Sequence, residues 1–209
     1  MIADPGGDPS ARARRFDALY RASIDPWGFR TSSYERRKYL ATLDVLPRPR
    51  YRAALEVGCS IGELAARLRA RADDVLGVDV STVAVAEARR THARVPGLRF
   101  DVREVPREWP RGTYDLVVLS EVLYFLSREE LDTLAARVAA SLAPGGHCVA
   151  VCWLGTTDAA LDLRGDEAAE RFARALPERV RPRPDAARRT PDYRLDLFVA
   201  PPRALERAT

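Results

Sequence analysis

Ala53-Ala-Leu-Glu-Val-Gly-Cys-Ser-Ile-Gly62 is the stretch on which the fold turns. Residues Ala53 to Val57 form a short apolar run of the kind that makes a buried strand. Gly58 to Gly62 is a glycine-bounded turn, and Glu63 to Arg71 returns to helical periodicity. A strand, a tight turn and a helix in this order open a βαβ unit, and that unit demands a parallel neighbour strand.

The chain supplies the neighbours. Val75 to Val80 (VLGVDV) reads as a second strand, and Ser81 as the N-cap of a helix reaching about His92. Leu98 to Arg103 is a third strand. Tyr114 to Leu119 (YDLVVL) is a fourth, apolar on both faces as a central parallel strand requires. Ser127 and Glu130 form a capping box ahead of a helix whose stripe is Leu131, Leu134, Val138 and Leu142, and Pro144-Gly145-Gly146 stops it. His147 to Trp153 is strand five, Gly165 to Leu176 a helix, and Arg194 to Val199 a last alternating strand. Val180 to Asp192, rich in Arg and Pro, reads as a loop with at most a short edge strand. Ahead of the sheet, Arg12 to Ser23 and Tyr34 to Leu46 read as helices separated by Asp25-Pro26-Trp27-Gly28. The expected fold class is α/β and Rossmann-like: a mostly parallel, seven-stranded sheet with a final antiparallel strand and helices on both faces. One domain spans 11–200, with residues 11–46 as a helical lid. Residues 1–10 form a disordered lead-in and 201–209 a tail.

Composition narrows the function. No apolar run of about 18 residues exists, and the start lacks a signal-peptide pattern, so a soluble cytoplasmic protein is expected. Of 34 basic residues Lys38 is the only lysine, and the arginines alternate with acids instead of forming a stripe. A net charge of +4 in that arrangement argues against a nucleic-acid partner and for a small-molecule substrate. Cys59, Cys148 and Cys152 have no metal-like spacing, and no metal site is expected. Oligomeric state is not legible.

In an open parallel sheet, ligands sit beyond the carboxyl ends of the strands, beside strand one. A dinucleotide fingerprint would place glycine at positions 60 and 63, where this chain has Ser60 and Glu63, so a phosphate cradle is missing. Glu56, Gly58, Cys59, Ser60 and Gly62 are therefore read as the turn of a different nucleoside-containing cofactor, with Ser60 deprived of glycine's freedom at φ. Asp79 ends strand two, with Val80 next to it, and its carboxylate suits a pair of ribose hydroxyls. Arg103, Glu104 and Val105, by position, lie near the base. Ser120 and Glu121 follow strand four and face the reacting group, while Tyr124 and Phe125 read as core. His92 and His147 are poorly placed for catalysis.

The turn is similar to the acid-x-Gly-x-Gly-x-Gly turn of S-adenosylmethionine-dependent methyltransferases, matching at Glu56, Gly58 and Gly62 and departing at Ser60. Tyr20…Asp25-Pro-Trp-Gly28, Tyr34-Glu-Arg-Arg-Lys38, Ala54 to Gly62, Leu119-Ser-Glu-Val-Leu-Tyr-Phe-Leu126 and Asp192-Tyr-Arg-Leu-Asp196 resemble the nodulation-protein-S type of methyltransferase, from about Phe16 to Phe198. The resemblance implies S-adenosylmethionine as cofactor and an N-methyltransferase whose acceptor is an amine, such as an amino sugar. An O-methyltransferase of small molecules and a non-catalytic binding protein are the alternatives. It also implies an N-terminal segment closing over the cofactor, with Trp27 and Arg36 near its methionine end. The family carries His-Trp at the end of strand five, where this chain has Cys152-Trp153. A protonated amine cannot attack, so a base is needed. Glu121 is the candidate, with Tyr34 and Glu35 as alternatives.

Overall fold

The computed structural model describes residues 10–155 and 163–202. The expected lead-in, apart from Ser10, and residues 203–209 of the expected tail lie outside them. In chain order the elements are α1 (Ala11–Ala22), α2 (Ser33–Asp44), β1 (Tyr51–Val57), α3 (Glu63–Leu68), β2 (Ala72–Asp79), α4 (Thr82–Thr91), β3 (Leu98–Val102), β4 (Tyr114–Ser120), α5 (Arg128–Ser141), β5 (Leu142–Trp153), α6 (Gly165–Ala175), β6 (Arg181–Pro182), β7 (Arg188–Arg189) and β8 (Tyr193–Val199).

The sheet runs β3-β2-β1-β4-β5-β8-β6, with β7 also on β8. The first five strands in that order are parallel and β8 is antiparallel to β5, in register from His147 opposite Val199 to Trp153 opposite Tyr193. The count is eight where seven were expected. The Arg- and Pro-rich stretch contributes two separate two-residue strands, because prolines at 182 and 184 allow only brief ladder pairing.

β4 sits at the centre and is buried on both faces. Leu116 and Val118 face a layer with Leu64, Leu68 and Val85; Val117 and Leu119 face the opposite layer with Leu131, Leu134 and Phe172. The capping box at α5 forms in both directions, Glu130 N–H to Ser127 Oγ at 3.2 Å and Ser127 N–H to Glu130 Oε2 at 2.8 Å. Leu142 leaves the helix and joins β5, whose register with β4 shifts across Pro144-Gly-Gly146. At the amino end of the sheet, buried Asp115 accepts from the Arg52 and Ala53 amides at 2.9 Å each, pinning the start of β1. No helix of the described residues is long and apolar enough to cross a membrane.

α1 and α2 cross the carboxyl ends of the strands, and ion pairs and hydrogen bonds hold the segment there. Arg12 reaches Glu130 at 2.7 Å and Glu104 at 3.6 Å. Asp17 accepts from Ser81 Oγ at 2.7 Å, Thr82 Oγ1 at 2.8 Å and the Val83 amide at 3.3 Å. Arg30 meets Glu87 at 2.5 Å. Asp25 accepts from the Phe29 and Arg30 amides at 2.7 and 3.1 Å, so the Asp25-Pro-Trp-Gly28 motif is first of all a turn.

Candidate functional site

A cavity of about 380 Å³ opens between this N-terminal segment and the carboxyl ends of β1, β2 and β4. It lies where the parallel topology places a ligand, because β2 and β4 leave β1 on opposite sides and their following loops diverge.

Its floor is the turn after β1. Gly58 has φ 82°, and a Cβ there would stand 2.2 Å from Val122 Cγ1 and 2.8 Å from the Ser120 carbonyl oxygen, so the turn reaches the β4 loop only through glycine. Ser60 has φ 50°, the one non-glycine residue with positive φ among those described. Ser60 thus takes a left-handed conformation without glycine's freedom, as the mild departure from the motif expected of it. Its strain is offset locally: the Ser60 amide donates to Asp79 Oδ2 at 2.9 Å and its Oγ accepts from Tyr20 at 2.5 Å. Cys59 also lines the cavity, with its thiol held up by burial.

Gly62 does not line the cavity. At φ 86°, its missing Cβ makes room for Phe100 Cζ, 2.6 Å away, and His92 Cδ2, 2.9 Å away. In this structure it serves the packing of α3 against β3 and not the cavity surface. A glycine that permits a turn and one that admits a ligand look alike in sequence.

Glu56 is buried and its Oε2 has no hydrogen-bond partner among the described residues. Burial, and then the nearby Asp79 carboxylate, push its pKa well above the ordinary range. Asp79 accepts from the Ser81 amide at 2.9 Å as well as from Ser60; burial still holds its pKa up. Two neighbouring carboxylates in a buried site favour a cationic or hydrogen-donating ligand. Val80, Arg103, Glu104, Val105, Ser120 and Glu121 line the cavity too.

Arg36 is exposed and does not line the cavity. On α2 the inward residues are Glu35, Lys38, Tyr39 and Thr42. One residue on from Glu35, about 100° around the helix, the side chain leaves the cavity face. The structure thus places Arg36 apart from the residues expected to meet the cofactor. Trp27 does line the cavity, 44% exposed, against Phe16, Tyr20 and Phe29 with ring centroids 5.6 to 6.5 Å apart.

The three candidate bases gather around a residue the sequence reading passed over. Lys38, only 4% exposed, donates to Glu35 Oε1 at 2.9 Å and to Glu121 Oε1, and lies 5.1 Å over the Tyr34 ring. Glu121 Oε2 accepts from Tyr124 at 2.7 Å, so both Glu121 oxygens are engaged. Among the described residues, Glu35 Oε2 and the Tyr34 hydroxyl are buried without partners. Burial, then Glu121 and Glu35, raise the Tyr34 phenol beyond the range of a useful base. Burial raises Glu35, with Lys38 opposing. Tyr124 and Phe125, expected in the core, line the cavity, as does Trp153. The signal that could have found Lys38 was its solitude among 33 arginines. His92 caps α4 behind Gly62. His147 is buried beside Tyr51, Nδ1 to the hydroxyl 3.1 Å, and neither histidine lines the cavity.

A family model described as a methyltransferase domain matches residues 54–146. Nodulation protein S of Rhizobium tropici is 30% identical over 130 residues, which are 61% of this chain and 55% of that protein. Nodulation protein S of Sinorhizobium fredii is 28% identical over 142 residues, 66% of each. The chain thus spans between about half and two thirds of the length of these curated relatives. A provisionally assigned methyltransferase from Pseudomonas syringae, known as a crystal structure, is 35% identical; the match covers 80% of this chain and 99% of that one, with TM-score 0.69. The N-methyltransferase NodS from Bradyrhizobium japonicum, in complex with S-adenosyl-L-homocysteine, shares the fold at TM-score 0.74 and 22% identity, over 88% of this chain and 97% of that one. The sheet order, the glycine turn under the cavity and these similarities agree: the chain belongs to the class I S-adenosylmethionine-dependent methyltransferases.

Proposed function

We propose that the chain transfers a methyl group from S-adenosylmethionine to the nitrogen of a small-molecule amine. One observation carries the cofactor part. Among the described residues six carboxylates, Glu35, Glu56, Glu63, Asp79, Glu104 and Glu121, line the cavity against three cations, Arg12, Lys38 and Arg103. A pyrophosphate would meet net negative charge there, whereas a ligand with a sulfonium and an ammonium meets its complement. The same balance disfavours nucleic acid as acceptor.

The residues fit the group. Glu56, with its unpartnered oxygen, and the amides around Gly58, Cys59 and Ser60 would hold the amino-acid end, with Trp27 over it. Asp79 and Val80 would take the ribose, and Arg103, Glu104 and Val105 the adenine edge. Ser120 and Glu121 would border the acceptor. When bound, the cofactor supplies a methyl group already activated by sulfonium charge. The protein's task is then alignment, dryness and removal of one proton. Residues 11–46 would act as the lid: the ties of Arg12, Asp17 and Arg30 can close it over the ligand and exclude water.

The test is calorimetry followed by product analysis. S-adenosylmethionine and S-adenosylhomocysteine should bind and NAD should not. Incubation with methyl-labelled cofactor and a panel of amino sugars, amines, phenols and carboxylates should label an amine nitrogen. A methyl group found on oxygen overturns the N-methyl assignment, and tight NAD binding without response to S-adenosylhomocysteine overturns the whole reading.

A further inference from the structure

The geometry points to an acceptor that is an amine on an apolar body, held as its ammonium between Glu35 and Glu121, with Lys38 as the positioning residue that keeps the two carboxylates together. This rests on the methyltransferase reading above and deepens it. Three observations carry it. Lys38 brings one positive charge to two carboxylates, leaving the buried cluster one negative charge in excess. The one lysine of an arginine-rich chain stands at this place, a compact ammonium with two of its three donors on the two carboxylates. Glu35 Oε2 and the Tyr34 hydroxyl, both buried, have no partner among the described residues, so a second cation with N–H groups would both neutralise the cluster and satisfy it.

The surroundings choose the body. Tyr34, Tyr124, Phe125, Leu126, Val122 and Trp153 form the wall on this side of the cavity. Tyr34 packs edge-on against Tyr193 at 6.3 Å, and Tyr193 is the neighbour of Trp153 across β5 and β8. Tyr124 packs on Phe125 at 4.7 Å. Aromatic faces favour an ammonium and an apolar skeleton. A sugar ring would bring a hydroxyl on nearly every carbon to a wall whose described residues are mainly aromatic and aliphatic, where a hydroxyl loses water without replacement.

Proton flow follows. One proton leaves the ammonium nitrogen for the Glu35 carboxylate, which has an unengaged oxygen, whereas Glu121 has none. The freed nitrogen pair forms the new N–C bond as the C–S pair returns to sulfur, and the product leaves as a methylammonium. The other titratable groups facing the cluster are Tyr39 of α2, Tyr124, Cys152 of β5, and Asp192 and Tyr193 at β8. Burial holds the Tyr39, Tyr124 and Cys152 groups up, and it raises the Glu35 carboxyl against the opposing charge of Lys38, so Glu35 is the group through which Lys38 sets the acid limb of binding.

The experiment titrates benzylamine, benzyl alcohol and glucosamine into the full chain, with and without S-adenosylhomocysteine. Benzylamine should bind at least tenfold tighter than either of the others. Glu35→Gln should cost tenfold or more in benzylamine affinity while S-adenosylhomocysteine affinity stays within twofold. In Lys38→Met the acid limb of benzylamine binding should move up by a pH unit or more, since the carboxylates lose their cation, and Lys38→Arg should restore part of that shift. If Lys38→Met does not fold, Glu35→Gln and Lys38→Arg decide. Benzyl alcohol or glucosamine binding as tightly as benzylamine, or a Glu35→Gln protein with full amine affinity, overturns the proposal. Failure of the wild type to bind S-adenosylhomocysteine instead sinks the cofactor reading, and the amine preference remains measurable without it.

Discussion

Removing the Asp17 carboxylate should unlatch the N-terminal segment from the sheet. Asp17 sits in α1, yet its three partners, Ser81 Oγ, Thr82 Oγ1 and the Val83 amide, all belong to the start of α4, directly beyond Asp79. At about 1 kcal/mol net for each hydrogen bond, Asp17→Ala loses about 3 kcal/mol. For a chain of this size that corresponds to a Tm lowered by about 6–12 °C, if α1 melts with the sheet. Asp17→Asn, which keeps one acceptor oxygen, should lose about half. Burial by itself would raise the Asp17 pKa, but the hydrogen bonds from Ser81, Thr82 and Val83, with Arg21, bring it below the usual value. A carboxyl whose folded pKa is depressed contributes stability that is complete above its unfolded pKa of about 3.9 and is lost as pH falls through the folded value. The difference between wild type and Asp17→Ala should therefore be level from pH 5 to 8 and narrow below about pH 4, where a protonated Asp17 behaves like Asn. Thermal melts across pH, with trypsin cleavage at the exposed Arg21, measure both consequences. Cleavage should quicken in the variant, and S-adenosylhomocysteine should slow it in the wild type. Equal Tm values and equal cleavage at neutral pH would refute the latch.

Four further outcomes follow from the site. Gly58→Ala, with a Cβ driven against Val122 and the Ser120 carbonyl, should weaken S-adenosylhomocysteine at least tenfold by calorimetry. Gly62→Ala, which meets Phe100 and His92 instead, should lower stability in denaturant by about 1–3 kcal/mol with a smaller change in ligand affinity. Asp79→Ala should lose about 1–3 kcal/mol of S-adenosylhomocysteine binding, having removed a buried acceptor. Burial, then Arg48 and Arg183, depress the His147 pKa to about 4 from 6.5, so the folded state resists its protonation. Stability should fall by up to about 3 kcal/mol as pH drops from 6.5 to 4, and His147→Gln should flatten that slope.

Much of the architecture could be read from the chain alone, because its signals are local. The apolar run through β4, the capping box of Ser127 and Glu130, and the glycine turn after β1 each act within a few residues. Parallel order then follows from alternation of strand and helix, and the place of the cavity from the carboxyl ends of the strands. Asp79 at the end of β2 was accessible for the same reason. Sequence did not reveal which face of a short helix turns inward. Arg36 and Lys38 lie two positions apart in one charged motif, and only the docking of α2 across β4 sends Arg36 to solvent and Lys38 between Glu35 and Glu121. Likewise Gly58 and Gly62 are equivalent in a motif, but one faces the β4 loop and the other Phe100. Local propensity sets where elements begin and end; contacts between residues 83 apart, such as Lys38 and Glu121, exist only once the whole sheet has brought them together.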